Sequence, residues 1–134
     1  MNRLRGNIVA IDHNSHMSLV DVAVGVEVFS ATLLETPETA AYLRVGNAVT
    51  LLFKETEVVL AKNLSGLISL RNRFSVTVIS IERGAILSAV TLDYGGESLV
   101  SVITTRGVDR LQLATGDKVE ALVKANEVVL SHEP

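Results

Sequence analysis

Residues 87–104 read LSAVTLDYGGESLVSVIT. Two segments rich in valine, leucine and threonine, Leu87–Tyr94 and Glu97–Thr104, flank the pair Gly95-Gly96. β-Branched and apolar residues in alternation with polar ones favour strands. Two glycines between such segments favour a tight turn, because glycine accepts the positive φ that the turn needs. This stretch therefore predicts an antiparallel β-hairpin.

The hairpin lies in the second of two copies of one unit. The chain of 134 residues aligns with itself at an offset of 70 positions, without a gap, and 16 of the 64 aligned pairs are identical. The clearest block is Glu57-Val58-Val59-Leu60, which recurs as Glu127-Val128-Val129-Leu130. Such an internal repeat predicts two copies of one structural unit. We divide the chain into a first domain at residues 1–62, a linker at 63–68 and a second domain at 69–134.

Each copy is predicted to be a small all-β unit. In the second copy, strands are expected at 74–82, 87–94, 97–104, 118–124 and 127–131, the last completing the sheet of its own copy. A helical turn is expected at 106–111, with Thr105 as its N-cap. These elements favour two tandem OB-like Greek-key β-barrels, each with one short helical turn. A flatter sandwich is the alternative, because periodicity does not determine whether a sheet closes.

Composition restricts the function. The net charge is −3 and only 4% of residues are aromatic, which argues against a nucleic-acid binder, since such proteins use basic faces and stacking side chains. The chain contains no cysteine, so it has neither disulfides nor thiolate metal sites. Its apolar runs are too short to cross a membrane, and residues 1–6 lack a secretory pattern. We expect a soluble cytoplasmic protein.

The sequence lacks the usual enzyme signatures. It contains no nucleotide-binding loop, no dinucleotide fingerprint and no grouping typical of a serine nucleophile. His13 and His16 have a spacing that could serve one metal ion, but no suitable third ligand lies nearby in the sequence. We interpret them as part of a solvated turn and predict that the protein is not an enzyme.

Three polar segments have the residue types that an oxyanion needs. A tetrahedral oxyanion offers only acceptor oxygens, so its site must supply N–H groups, hydroxyls and cations. Such donors occur in Ser69-Leu70-Arg71-Asn72, at Thr104-Thr105 and in Lys124-Ala125-Asn126. On the residues alone, ordinary roles as caps, linkers and surface cations remain the alternative.

The same segments carry a family resemblance. Residues 68–72, ISLRN, resemble the ISARN opening of the molybdenum-pterin-binding (Mop) domain of the TOBE group. Residues 81–90, 102–105, 113–119 and 121–128 are similar to its following motifs, and all five occur in order. The resemblance extends from about residue 68 to residue 130, and the repeat carries it more weakly into residues 2–62.

The resemblance implies an OB-like protein that forms a homo-oligomer and binds molybdate or tungstate at interfaces between domains. The implied role is storage or homeostasis of molybdenum in the cytoplasm. Two alternatives stay open. The chain could be the C-terminal ligand-sensing part of a molybdate-responsive regulator, or an OB-type module that binds nucleic acid or protein.

The resemblance also implies which residues hold the oxyanion. Ser69 and Arg71 would donate from the segment before the first strand, Thr104 from a strand end, and Lys124 and the Ala125 N–H from a neighbouring domain. A second type of site is expected near Gly84–Ser88. The full candidate set is Ser69, Arg71, Asn72, Thr104, Thr105, Lys124, Ala125, Lys54 and Ser88.

The first copy departs from this pattern. Met1 aligns with Arg71, Leu33-Leu34-Glu35 with residues 103–105, and Glu55 with Ala125. A carboxylate at residue 55 would repel a dianion if it faced the site. We therefore expect the first copy to be mainly a structural partner that lends Lys54 to a site formed by Ser69 and Arg71.

Overall fold

The computed structural model describes residues 1–132, which form ten strands and one α-helix. The first copy contains β1 (Asn2–His13), β2 (Ser18–Val24), β3 (Glu27–Leu33), β4 (Ala48–Phe53) and β5 (Val59–Ala61). The second copy contains β6 (Asn72–Arg83), β7 (Leu87–Tyr94), β8 (Glu97–Thr104), α1 (Thr105–Leu111), β9 (Lys118–Val123) and β10 (Val129–Ser131). Short 3-10 turns, Glu55–Glu57 and Ala125–Glu127, precede β5 and β10. Within residues 1–132, no helix has the length and apolar character needed to span a membrane.

The predicted hairpin is confirmed residue for residue. Strands β7 and β8 pair antiparallel from Leu87 opposite Thr104 to Tyr94 opposite Glu97. Gly95 and Gly96 have φ angles of 55° and 94°, in the left-handed region that a side chain would disfavour. The glycine pair therefore sets the register of this hairpin.

The N-cap of the helical segment is not the residue predicted from the sequence. Thr104, not Thr105, is the N-cap of α1, because its side-chain oxygen accepts a hydrogen bond from the Gly107 N–H at 3.0 Å. The corresponding part of the first copy forms a single turn, in which the Ala40 N–H donates to the Thr36 carbonyl at 2.9 Å. Only the second copy extends this turn into an α-helix within the described residues.

The two copies exchange their last strands. The sheet orders are β10-β4-β1-β2-β3 and β5-β9-β6-β7-β8, so each sheet contains one strand from the other copy. Leu130 of β10 lies opposite Leu51 of β4, and Leu60 of β5 lies opposite Ala121 of β9. The expectation that residues 127–131 complete their own copy's sheet is thus wrong. The 3-10 turn after β4 or β9 carries the chain across to the other sheet.

Each sheet is curled into a half-barrel. Strand β10 approaches β3 at the open side of the first sheet, and β5 approaches β8 in the second. Once the exchange is included, the OB-like architecture expected from the sequence is confirmed. Because each sheet contains both copies, the boundaries at residues 62 and 69 describe the sequence repeat, and as limits of folded domains they stay a prediction.

The two sheets share one hydrophobic core. Its aromatic centre joins Phe29 of the first copy to Phe74 and Tyr94 of the second, with ring centroids 4.8 and 5.9 Å from Phe29. The Tyr94 hydroxyl donates to the carbonyl of Val24, its own counterpart in the repeat, at 2.6 Å. Aromatic pairs add about 0.5–1.5 kcal/mol each to the area that they bury. Separation of the copies would expose this cluster to water.

A buried asparagine fastens each copy to the other. The Asn72 side chain accepts from the Ser30 N–H at 2.6 Å and donates to the Ser30 carbonyl at 2.8 Å. Asn2 makes the equivalent pair of bonds to Val100. Strands β3 and β8 are sheet edges, so their free backbone groups require partners when buried. The Asn72 amide thus satisfies the backbone of β3, and its assignment to oxyanion binding stays a prediction.

Asn72→Ala should lower the free energy of unfolding by about 2–4 kcal/mol, because two buried backbone groups lose their partners. Asn7→Ala is the matched control, since Asn7 is exposed, and its effect should stay within about 0.5 kcal/mol. Chemical denaturation followed by circular dichroism measures both values. Equal effects of the two substitutions would contradict a structural role for Asn72.

Candidate functional site

A surface depression lies where the second copy meets β3 of the first. Its lining residues are Thr32, Ser69, Leu70, Arg71, Lys124, Ala125 and Asn126. Its volume is about 470 Å³, whereas one water molecule occupies roughly 30 Å³ of liquid. A small oxyanion therefore does not fill it, and one side stays open to solvent.

The strand exchange assembles this depression. Ser69 and Arg71 belong to the segment that leads into β6. Lys124 directly follows β9, at the point where the chain leaves for the other sheet. The 3-10 turn that begins at Ala125 packs on β3, which places it beside Thr32. Three segments that are distant in sequence thus converge on one spot.

The chemistry of the lining is cationic and rich in donors. Arg71 offers five N–H groups and Lys124 three, and the hydroxyls of Ser69 and Thr32 add two more. Ala125 is the first residue of its 3-10 turn, so its N–H has no partner within that turn. The lining contains no carboxylate, and neither cation forms an ion pair among residues 1–132.

Four candidates from the sequence come together here: Ser69, Arg71, Lys124 and Ala125. Thr32 was missed. Its counterpart in the repeat is Val102, which has no hydroxyl, so the repeat gave no signal. Only the packing of the turn after β9 on β3 reveals that Thr32 belongs with the others.

Ser88 and Thr105 use their hydroxyl hydrogens within the protein. Their oxygens lie 2.7 Å apart, and the Thr105 hydroxyl donates to the Gly84 carbonyl at 2.8 Å. Ser88 must therefore donate to Thr105, and neither hydroxyl keeps a hydrogen for an external acceptor. The pair holds the 84–87 loop against the start of α1, where the Thr105 N–H also bonds Ile86. Both hydroxyls thus have a structural role within the chain, and their assignment to oxyanion binding stays a prediction.

The groove along Gly84–Ser88 has mixed charge. Glu82 and Arg83 lie on its rim, and the Arg83 guanidinium donates to the Asp109 carboxylate at 2.8 Å. This hydrogen bond holds the pKa of Asp109 below its ordinary value. A negative side chain and a cation with its own partner make the groove a poorer oxyanion site than the depression at Arg71 and Lys124.

Thr104 lies apart from the depression. It lines a separate shallow surface with Arg106, Gly107, Asp109 and Arg110. Its oxygen accepts from Gly107, so its hydrogen stays free for another acceptor. Within one chain, the structure does not bring Thr104 together with Ser69 and Arg71.

Lys54 also lies elsewhere. The turn that follows it packs on β8 of the second copy. This position is the counterpart, in the repeat, of the depression at Lys124. The neighbouring Glu55 carboxylate pairs with the amino group of Met1, and this hydrogen bond lowers the pKa of Glu55. Within one chain, Lys54 is therefore not lent to a site formed by Ser69 and Arg71.

His13 and His16 flank a tight loop. The side-chain oxygen of Asn14 accepts from the backbone N–H groups of His16 and Met17, at 2.8 and 2.9 Å. This arrangement is an Asx turn. Within residues 1–132, no group of three or more His, Cys, Asp or Glu side chains is placed to hold a metal ion.

Comparison with known proteins gives consistent matches. Residues 68–130 match the family model of the TOBE domain. The chain is 35% identical over 133 residues to the molybdenum transport protein ModE of Herbaspirillum seropedicae, covering 97% of this chain and 49% of that protein. It is 34% identical over 67 residues to a probable molybdenum-pterin-binding protein of Haemophilus influenzae, covering 49% of this chain and 97% of that one. The chain thus spans about half the length of the ModE relative.

A solved structure extends this similarity to the fold. The cytoplasmic molybdate-binding protein ModG, determined with molybdate bound, superposes with a TM-score of 0.91 at 31% sequence identity. The superposition covers 98% of this chain and 96% of that one. Both copies of the repeat, and not only the second, are therefore included in the likeness.

Substitutions of the candidates that bond within the protein and of those that line the depression should differ in their effect on the free energy of unfolding. Ser88→Ala should lower the free energy of unfolding by about 1 kcal/mol, because it removes a buried hydrogen bond. Arg71→Ala and Lys124→Ala should stay within about 0.5 kcal/mol of the unmodified protein, since both side chains are exposed and support no other group. Chemical denaturation measures all three, and a large loss for either cation variant would assign that residue to the fold.

Proposed function

The chain belongs to the Mop/TOBE family, and from that premise we propose that it binds molybdate in the depression described above. The oxyanion would sit among Thr32, Ser69, Arg71, Lys124 and the N–H of Ala125. The physiological role that we propose is storage or homeostasis of molybdenum in the cytoplasm. Tungstate, which has the same shape and charge, is expected to bind in the same place.

The observation that carries this proposal is a set of solvent-accessible donors for which residues 1–132 supply no acceptor. Arg71 and Lys124 face the same depression without a carboxylate between them. A dianion with four acceptor oxygens complements two cations, two hydroxyls and one N–H. Each hydrogen bond to a charged group contributes about 1.5–3 kcal/mol to binding, so a few such bonds suffice for a small ligand.

The relatives support the identity of the ligand. ModG was determined with molybdate bound, and the Haemophilus influenzae relative is described as molybdenum-pterin-binding. Sulfate is also a tetrahedral dianion, so charge alone does not make the site select molybdate over sulfate. We expect the size of the closed site to make the difference, with molybdate and tungstate bound in preference to sulfate.

The proposal includes a homo-oligomer with sites at interfaces between domains. The depression is open on one side, and a neighbouring subunit could close it. Exposed apolar side chains occur at equivalent positions of both copies, for example Val9 with Ile79 and Met17 with Leu87. Self-association is a common way to cover such surfaces.

A second candidate function is that of the ligand-sensing part of a longer protein. It is favoured by the match of nearly the whole chain to half of the ModE relative. The same oxyanion site would serve either role. The complete reading frame of the gene, together with any change in activity of an attached domain on molybdate binding, distinguishes the two.

Arg71→Ala and Lys124→Ala should each weaken molybdate binding by roughly 10- to 100-fold, since each removes a charged hydrogen-bond donor. Isothermal titration calorimetry with molybdate, tungstate and sulfate measures affinity, stoichiometry and preference together. Arg3→Ala and Lys118→Ala are matched controls, because both residues are exposed cations outside the depression.

The controls should bind molybdate with unchanged affinity. If the two site variants also keep the original affinity while the protein binds molybdate, the ligand lies elsewhere. If the unmodified protein binds neither molybdate nor tungstate at micromolar concentrations, the proposed function is wrong.

A further inference from the structure

The repeat provides a second position with the same backbone as the proposed site. The turns after Lys54 and Lys124 have almost identical geometry: Lys54 has φ −73° and ψ 147°, and Lys124 has φ −63° and ψ 143°. Their internal hydrogen bonds also match, at 3.0 Å to each lysine carbonyl and 3.4 Å to the carbonyl of the next residue. One turn packs on β8 and the other on β3. The backbone of these two turns therefore gives no reason for a difference in binding, and the side chains around them do.

Those side chains differ in charge. At the site proposed to bind the oxyanion, Arg71 and Lys124 supply two cations, and Ala125 is neutral. At the related position, Lys54 is the counterpart of Lys124, but Met1, which aligns with Arg71, has an uncharged side chain. Glu55 adds a carboxylate where Ala125 stands. The side-chain charge falls from two positive to none.

The donors differ as well. Thr32, which lines the depression with its hydroxyl, aligns with Val102, and a valine side chain donates nothing. The Glu55 carboxylate already accepts a hydrogen bond from the amino group of Met1. A carboxylate offers only acceptor oxygens, as does molybdate, so the two compete for the same donors.

We infer that Glu55 acts as a built-in anion that excludes molybdate from the first-copy position, so that each chain has one oxyanion site of this type and not two. The inference rests on the proposed function, because it concerns the same kind of site. It assigns Glu55 a specific role: its carboxylate takes the place that the oxyanion has at Ala125. The duplicated fold thus keeps two equivalent turns but only one binding position.

Exchange of the two residues tests this role. Ala125→Glu should weaken binding at the second-copy position by at least about 100-fold, because a carboxylate would then lie beside the dianion. The corresponding turn of the first copy contains glutamate at residue 55 and has the same internal hydrogen bonds. The variant is therefore expected to fold, and its denaturation curve checks this. Glu55→Ala, alone and combined with Val102→Thr, should increase the bound molybdate by up to one per chain.

Equilibrium dialysis with molybdate counts the bound ions per chain for each variant. The gained binding should disappear when Lys54→Ala is added to Glu55→Ala. Suppose that the unmodified protein binds molybdate but that neither Glu55→Ala nor its combination with Val102→Thr binds more. Glu55 is then not the excluding group, and the inference is wrong while the proposed function stands. If the unmodified protein binds none, the proposed function itself fails.

Discussion

The reciprocal exchange of two three-residue strands is the constraint on which the rest of the structure depends. Strands β5 and β10 each complete the other copy's sheet, so the 3-10 turns before them must cross from one half-barrel to the other. That crossing brings Lys124 and Ala125 to Thr32. The two copies also share an aromatic core around Phe29 and Tyr94. The same feature therefore holds the two copies together and builds the depression between them.

Much of the fold could be predicted from local sequence. The hairpin at residues 87–104 and the 70-residue repeat depend on alternation and on glycine, which act locally. The exchange could not be predicted, because Glu57–Leu60 and Glu127–Leu130 have the same sequence. Either segment could pair with β4 or with β9 on local grounds. Thr32 was missed for the same reason, since its place in the depression follows from the exchange.

The candidate site shows a similar division. Four of its residues could be predicted from sequence motifs, namely Ser69, Arg71, Lys124 and Ala125. In the fold, these residues face the depression. Ser88, Thr105 and Asn72 have equally suitable side chains, yet their hydrogen-bonding groups are used within the protein. Sequence gives the type of a donor but not whether that donor is free. The difference lies in tertiary hydrogen bonds across 17 to 42 positions of the chain.

The location of the bound ion tests the central claim most directly. A crystal structure of the protein with tungstate, in which tungsten is located by its anomalous scattering, would identify the binding position without reference to any substitution. The tungsten peak is expected where the tungstate oxygens lie within hydrogen-bonding distance of both Arg71 and Lys124, beside the N–H of Ala125. A tungsten peak at the Glu82–Ser88 groove or beside Thr104, with no peak at Arg71 and Lys124, would contradict the assignment of this depression as the oxyanion site.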